Sequence, residues 1–219
     1  MNPITVLSML LSLSTSVESN PKATLNCQPP CMVALKVPIV IEVNAFNEES
    51  AQAFEAQMNA AQQTGQTIIP IVVDSYGGGV YALLRMLSVI QNSKVPVATI
   101  VEGKAMSCGA VLFMMGKEGY RFAGPQATIL VHSVSGGTEG KVKDMKVSVE
   151  EANRLNNTIM ALMSVNTGHA PDYFSKLLKD KSDIDWFITV GEAKEMNIVN
   201  HIGIPEFKSK VEVTYSLEQ

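Results

Sequence analysis

The sequence is poor in charge and in arginine. Charged residues make up only 17% of its 219 residues, against about 25% in a typical globular protein, while hydrophobic residues reach 46%. This balance excludes an intrinsically disordered chain, because disorder accompanies low hydrophobicity and high net charge. With a net charge of -4 and three arginines, the chain also lacks the clustered basic surface expected for nucleic-acid binding. The apolar excess must therefore be buried in a large core or against partner subunits.

Cysteine and histidine are also scarce, with three of each. Cys27 and Cys31 lie close together and Cys108 is far away, so the spacing does not predict a disulfide scaffold. We interpret the close pair as free thiols in a loop, with a local disulfide or half of a metal site as the alternatives. Zinc normally takes four ligands, and no second Cys or His pair stands at a suitable spacing. We therefore expect no structural metal and no cofactor.

The N-terminal residues 1–37 contain an apolar stretch, residues 4–13, that no Lys or Arg precedes. A secretory signal normally begins with a basic region, and this stretch is too short and too rich in serine to span a membrane. We interpret residues 1–37 as a leader or an N-terminal arm that contacts other subunits, with a cleaved signal as the alternative. We expect a cytoplasmic protein without membrane contact.

From residue 38 onward, short β-branched runs alternate with segments of helical periodicity. This alternation is typical of a parallel sheet with crossover helices, and it predicts one α/β domain over residues 38–219. The apolar residues from 106 to 115 predict a helix that is buried on all faces. The predicted strands are 38–43, 68–73, 95–101, a short one at Phe122, 128–131 and an edge strand at 211–215. The predicted helices are 47–63, 80–90, 106–115, 141–165, 171–178 and 191–196.

Ser107 lies between a buried strand and this buried helix, among small residues that let other groups approach it. A helix N-terminus offers unpaired backbone N–H groups and the positive end of the helix dipole. That position suits a nucleophile whose product is an oxyanion. The simpler alternative is that Ser107 only caps the helix.

Three consecutive glycines, residues 77–79, follow another predicted strand and bring backbone amides close to a ligand. A phosphate-binding loop would end in Gly-Lys-Ser/Thr, but Val80 and Tyr81 follow here, which excludes that interpretation. A second donor to an oxyanion is chemically sensible at this position, and a plain tight turn is the alternative.

His132 and Asp185 complete a possible catalytic set. His132 ends an apolar strand, and Asp185 lies beside Trp186 and Phe187, which would partly desolvate it. Separately, they are explained equally well as a structural histidine and an ordinary loop acid. Together with Ser107, they supply a nucleophile, a base and a carboxylate that orients the base. The order Ser, His, Asp differs from that of the α/β-hydrolases, but such triads are defined by geometry rather than by order.

Five motifs in order resemble the Clp protease proteolytic subunit family over roughly residues 38–203, in a divergent form. The first two are Ser75-Tyr76-Gly77-Gly78, which resembles the family's Ser-Pro-Gly-Gly, and Ala105-Met106-Ser107-Cys108-Gly109-Ala110, which resembles Ala-Ala-Ser-Met-Gly-Ala. The third is Gly119-Tyr120-Arg121-Phe122 with Pro125, Ala127 and Ile129 to His132, which resembles Lys-Arg-Phe…Pro-Asn-Ala-Arg-Ile-Met-Ile-His, and the fourth is the pair Gly136-Gly137. The fifth is Asp185-Trp186-Phe187-Ile188-Thr189 with Glu192-Ala193, which resembles Asp-Arg-Phe-Leu-Ser…Glu-Ala.

The resemblance implies a serine endopeptidase with a crotonase-like α/β fold, which acts on unfolded polypeptide inside a ring-shaped oligomer. It implies two stacked heptamers joined by a protruding handle helix, residues 141–155, and an ATP-driven AAA+ unfoldase that supplies the substrate. It implies that Ser107 is the nucleophile, His132 the base and Asp185 the carboxylate that orients the base. It also implies that the backbone amides of Gly78 and Cys108 form the oxyanion hole. The walls that pair with an extended substrate would be the backbones of Gly78, Gly79, Val80, Ser135, Gly136 and Gly137.

Two departures from the family pattern leave alternatives open. Ser133-Val134 stands where the family has Gln-Pro, and Ile184 stands where it has an Arg that takes part in ring-to-ring contacts. A phage-encoded head-maturation protease of the same family and a non-catalytic structural ring subunit are therefore alternatives. An acyl-CoA hydratase or isomerase that uses Glu102, and a Ser–Lys dyad that uses Lys104, are further alternatives.

Overall fold

Seven strands form one sheet in the computed structural model of the protein, which describes residues 37–181 and 184–208. They are β1 (Ile41–Val43), β2 (Ile69–Ser75), β3 (Val97–Met106), β4 (Arg121–Ala123), β5 (Thr128–Val131), β6 (Trp186–Thr189) and β7 (His201–Ile202). The strand order is β1-β2-β3-β4-β7, with β5 paired to both β3 and β6. All pairs are parallel except β5 with β6. The predicted α/β class with a mostly parallel sheet is confirmed.

Six helices accompany the sheet in the described part of the chain. They are α1 (Glu48–Ala61), α2 (Val80–Gln91), α3 (Cys108–Met114), α4 (Val142–Asn166), α5 (Tyr173–Asp180) and α6 (Val190–Glu195). The α1 helix begins with a capping box, in which the side chains of Asn47 and Ser50 accept hydrogen bonds from each other's backbone N–H groups. Every residue of α3 is buried, as its continuous apolar sequence predicts.

The long strand β3 determines where the loops of the sheet meet. Its first half pairs with β4, and its last three residues, Lys104–Met106, pair with β5. Because β2, β3 and β5 are parallel, their carboxyl ends lie at the same end of the sheet. Ligand sites of open α/β sheets form at such ends. The residues that follow these strands therefore come from three distant parts of the sequence to one place.

The antiparallel strand β6 completes this end of the sheet. Val131 of β5 lies opposite Trp186 of β6, so the same register, continued by one residue, places the backbone of Asp185 opposite that of His132. Neither β6 nor β7 was predicted from the sequence. Strands of four and two residues are too short to show a periodic pattern.

Several predicted boundaries differ from those observed. Strand β3 continues to Met106, beyond the predicted end at residue 101, because its last residues pair with β5. The following helix accordingly begins at Cys108 and not at residue 106. The predicted edge strand at 211–215 and the predicted leader, except for Val37, lie outside the described residues. Within the described ranges, no helix has both the length and the apolar character needed to cross a membrane.

Candidate active site

Ser107 lies in the sharp turn between β3 and α3. Its backbone has φ 55° and ψ -123°, a region that residues other than glycine rarely adopt. Such a conformation costs about 1–3 kcal/mol and persists where the surrounding structure enforces it, often at functional sites. Ser107 occupies the N-cap position of α3, yet its side chain makes no capping hydrogen bond. The interpretation of Ser107 as a simple helix cap is therefore wrong.

Gly77 provides the space for this turn. A Cβ atom at residue 77 would lie 2.6 Å from Cβ of Ser107, closer than nonbonded carbon atoms approach, and would make a tight contact of 3.1 Å with its Oγ. Gly77 also has φ 109°, which disfavours any residue with a side chain. The loop after β2 and the turn after β3 therefore fit together only because residue 77 is glycine.

One small cavity, of about 60 Å³, brings most of the predicted residues together. Ser107, His132 and the predicted oxyanion residues Gly78 and Cys108 all line it. Residues from both predicted substrate-binding segments also line the cavity. Its remaining lining residues are Val80, Leu83, Val111, Val131, Val134, Ser135, Ile159, Met160 and Met163.

Two backbone amides at the cavity are left as potential donors. The N–H group of Gly78 and that of Cys108, the first residue of α3, have no acceptor among the hydrogen bonds of the described residues. The amide of Gly79, in contrast, donates to the carbonyl oxygen of Phe46 at 2.7 Å. The carbonyl oxygen of Gly79 accepts from Leu83 at 3.1 Å. The predicted role of Gly79 in substrate pairing is therefore restricted, because its amide is already used inside the fold.

His132 is held by its own neighbour. Its Nδ1 lies 2.6 Å from the carbonyl oxygen of Ser133. Asp185, the predicted orienting carboxylate, lies opposite His132 by strand register, but its side chain is exposed and no hydrogen bond joins it to His132. The structure thus brings Ser107 and His132 to one cavity and leaves the carboxylate of Asp185 outside their hydrogen-bond network.

The thiol of Cys108 points back to the glycine loop. Its Sγ donates to the carbonyl oxygen of Gly78 at 3.3 Å. Burial raises the pKa of the Cys108 thiol, and the hydrogen bonds with Gly78 and Ser107 oppose this only partly. Cys108 is therefore a neutral thiol that ties the start of α3 to the loop after β2.

The contribution of α4 to this cavity was not predicted from the sequence. Ile159, Met160 and Met163 line it from the second half of that helix. Their spacing of one, three and four residues is that of one face of a helix, a pattern that indicates burial but not which cavity the side chains reach. Gly136, a predicted substrate-binding residue, is exposed and does not line the cavity. Within the described ranges, no cluster of three His, Cys, Asp or Glu residues could hold a metal ion.

The comparison with protein families agrees with this arrangement. A family model described as Clp protease matches residues 26–206, which is more than half of the chain. The match includes the whole sheet, the cavity and every residue predicted for the site. The resemblance inferred from five short motifs is confirmed. The chain therefore belongs to the Clp protease family, a family of peptidases.

Proposed function

We propose that this protein is a serine endopeptidase, the proteolytic subunit of an ATP-dependent Clp-type protease. One observation carries the proposal. Ser107 is held in a strained turn, without a capping bond, at the same cavity as His132 and two backbone amides that have no acceptor among the described residues. A strained nucleophile at a strand-to-helix turn is the arrangement that hydrolases use to expose a serine hydroxyl.

The proposed reaction follows from these groups. Nε2 of His132 accepts the hydroxyl proton while Oγ of Ser107 attacks the carbonyl carbon of a peptide bond. The oxyanion that forms receives hydrogen bonds from the amides of Gly78 and Cys108. His132 then gives the proton to the leaving amine as the C–N bond breaks. Water, deprotonated by the same imidazole, hydrolyses the acyl ester and restores Ser107.

An extended substrate is proposed to lie between the segment 78–80 and the segment 135–137. Val80 and Ser135, one from each segment, line the cavity, which supports this path. Main-chain hydrogen bonds to an added strand would give affinity without regard to sequence. Such binding suits unfolded polypeptide, whose backbone groups are free to pair.

A fluorophosphonate probe tests the nucleophile. We expect the wild-type protein to be labelled at Ser107, as located by peptide mass mapping, and Ser107→Ala to remain unlabelled. Ser88→Ala, which removes an exposed serine of α2, is the matched control and should be labelled like the wild type. Equal and negligible labelling of the wild type and Ser107→Ala would show that the protein is not a serine peptidase.

A non-catalytic ring subunit is the second candidate, because the carboxylate of Asp185 makes no hydrogen bond to His132. The two candidates differ in one experiment. Purified protein, assembled and mixed with an AAA+ unfoldase and an unfolded substrate, cleaves the substrate if it is the peptidase. Assembly without cleavage or probe labelling would favour the structural subunit. We further propose a ring oligomer in the cytoplasm, where ATP is available to the unfoldase.

A further inference from the structure

The peptide group between Ser133 and Val134 is held at both of its ends. Its carbonyl oxygen, that of Ser133, lies 2.6 Å from Nδ1 of His132. Its N–H group, that of Val134, donates to Oδ1 of Asn156 at 2.9 Å. Asn156 belongs to α4 and lies 22 residues further along the chain. A side chain of α4 is therefore connected to the imidazole of His132 through a single peptide group.

This contact determines which nitrogen of His132 carries the proton. A carbonyl oxygen can only accept a hydrogen bond, so in the neutral imidazole the proton must be on Nδ1. The lone pair is then on Nε2, which is the nitrogen that must accept the proton of a serine hydroxyl. The observed partner thus selects the tautomer that a general base needs.

Asn156 fixes the peptide group that makes this selection. The segment 133–140 has no regular secondary structure, and its only described hydrogen bonds are the two at Ser133 and Val134. Asn156, in contrast, stands on a helix that is anchored by the buried side chains of Leu155 and Ile159. A hydrogen bond to the N–H of a peptide group also makes its carbonyl oxygen a stronger acceptor.

We propose that Asn156 is a positioning residue, which sets the tautomer and the orientation of His132 through the Ser133–Val134 peptide group. The inference rests on the proposed function, because it assumes that His132 is the base. Catalytic triads usually give this task to a carboxylate. Here the predicted carboxylate, Asp185, is exposed, and the acceptor at Nδ1 is a backbone carbonyl oxygen. A proline at residue 134 could not take part, because it has no N–H group.

Steady-state kinetics on a peptide substrate test the proposal. Asn156→Ala should lower kcat by about tenfold, the loss expected for one hydrogen bond of typical strength, with little change in KM. Asn156→Asp, whose carboxylate can still accept from Val134, should keep most of the rate. Asn157→Ala, the neighbouring exposed asparagine of α4, is the matched control and should behave as the wild type. Thermal unfolding of each variant separates a loss of activity from a loss of folding.

A double-mutant cycle tests the route. Val134→Pro removes the N–H group, so adding Asn156→Ala to it should cause no further loss. Additive losses would mean that Asn156 acts by another path. An unchanged kcat in Asn156→Ala, or an equal loss in Asn157→Ala, would overturn the proposal.

A spectroscopic measurement does not depend on activity. Solid-state NMR of protein labelled at the histidine nitrogens, with His132→Ala for assignment, should show His132 protonated on Nδ1. In Asn156→Ala we expect a partial shift to the other tautomer. If the wild type is inactive and is not labelled by the fluorophosphonate probe, but Asn156→Ala still shows this shift, the result would refute the peptidase and not the action of Asn156 on the imidazole. A wild-type His132 protonated on Nε2 would refute the inference itself.

Discussion

Lys104 lies three residues before Ser107, so a Ser–Lys dyad has to be weighed against the Ser–His pair. Its Nζ lies 2.8 Å from Oδ1 of Asp74, and 4.5 Å from the centre of the Tyr76 ring. The hydrogen bond with Asp74 raises the pKa of Lys104 above its ordinary value. A lysine that acts as a base must be neutral, and these contacts stabilise its charged form.

Replacing Lys104 and His132 separately decides between the two bases. We expect Lys104→Ala to keep most of the peptidase activity, because the ammonium is engaged with Asp74 and not with Ser107. His132→Ala should lower kcat by about 10²–10⁴-fold, the range that general acid–base catalysis contributes. Peptide hydrolysis and fluorophosphonate labelling of both variants measure this. The opposite pattern, with Lys104→Ala inactive and His132→Ala active, would assign the role of base to Lys104.

Cys108 is the neighbour of the proposed nucleophile and could itself be mistaken for it. Because burial raises its pKa, we expect the native thiol to react slowly with iodoacetamide at pH 8. Mass mapping should find the peptide with Cys108 unmodified in native protein and fully alkylated in urea. The urea sample is the control for reagent and detection. Rapid alkylation of native Cys108 together with loss of activity would instead indicate a cysteine nucleophile.

At the scale of elements, the side chain of Arg121 links strand β4 to the segments that follow helices α3 and α6. It is fully buried and donates to the carbonyl oxygens of Gly116, Asn197 and Ile198 at 2.8–3.0 Å. It also forms an ion pair with Glu118 at 2.7 Å. Burial opposes the charge of Glu118, but its contacts with Arg121, aided by two asparagines, outweigh this and lower the pKa of that carboxyl.

Exchanging Arg121 for lysine should therefore weaken the fold. The guanidinium of Arg121 has donors that point in several directions within one plane, and a lysine ammonium cannot reach all of the same acceptors. Each buried carbonyl group left without a partner lowers the free energy of unfolding by about 1–3 kcal/mol. We expect a clearly lower midpoint of thermal unfolding for Arg121→Lys. Arg154→Lys, which alters an exposed pair with Glu151, is the control and should unfold like the wild type. Equal midpoints for Arg121→Lys and the wild type would refute this role.

The elements that the sequence predicted well are those with a long local pattern. Helices α1, α2 and α4 and strands β2 and β5 begin and end within a few residues of the predicted bounds, because their apolar spacing extends over enough residues. The extension of β3 to Met106 was not predicted, since it depends on pairing with β5, more than twenty residues later. Pairing between distant strands leaves no local signal in the sequence.

The features of the site likewise divide into those that the sequence predicted and those that it did not. The positions of Ser107, His132 and Gly78 after strands were visible in the sequence, and strands that run parallel carry such residues to one end. The partner of His132 was not visible. Whether its Nδ1 meets Asp185 or the carbonyl oxygen of Ser133 depends on side-chain orientation. The hydrogen bond between Val134 and Asn156 likewise depends on where α4 passes.

At the scale of the whole molecule, the first half of α4 carries apolar side chains that the described part of the chain does not cover. Val142 and Val149 are 81% and 53% exposed, and Met145 is half-buried. Residues 142, 145 and 149 are separated by three and four positions, so they share one side of the helix. Exposed apolar stripes of this kind mark contacts between proteins. On the basis of this stripe and the low charge, we predict an obligate oligomer.

The native mass tests this interpretation. We expect size-exclusion chromatography with light scattering to give a multiple of the 23.6 kDa chain at micromolar concentration. The double variant Val142→Glu with Val149→Glu should form smaller species, because burying two carboxylates without partners is unfavourable. Val165→Glu, at the other end of α4, is the control and should keep the wild-type mass. A wild-type monomer would contradict the expectation of a ring.

The cavity wall that α4 contributes contains two buried methionines, Met160 and Met163. Methionine has three rotatable bonds and a polarizable sulfur, so it adapts to differently shaped neighbours. A wall of this kind yields to many side chains and rejects few of them. An enzyme with such a cavity has little power to choose among the residues of a polypeptide. For the proposed peptidase, we therefore expect selectivity to reside upstream, in whatever controls which chains are admitted to Ser107.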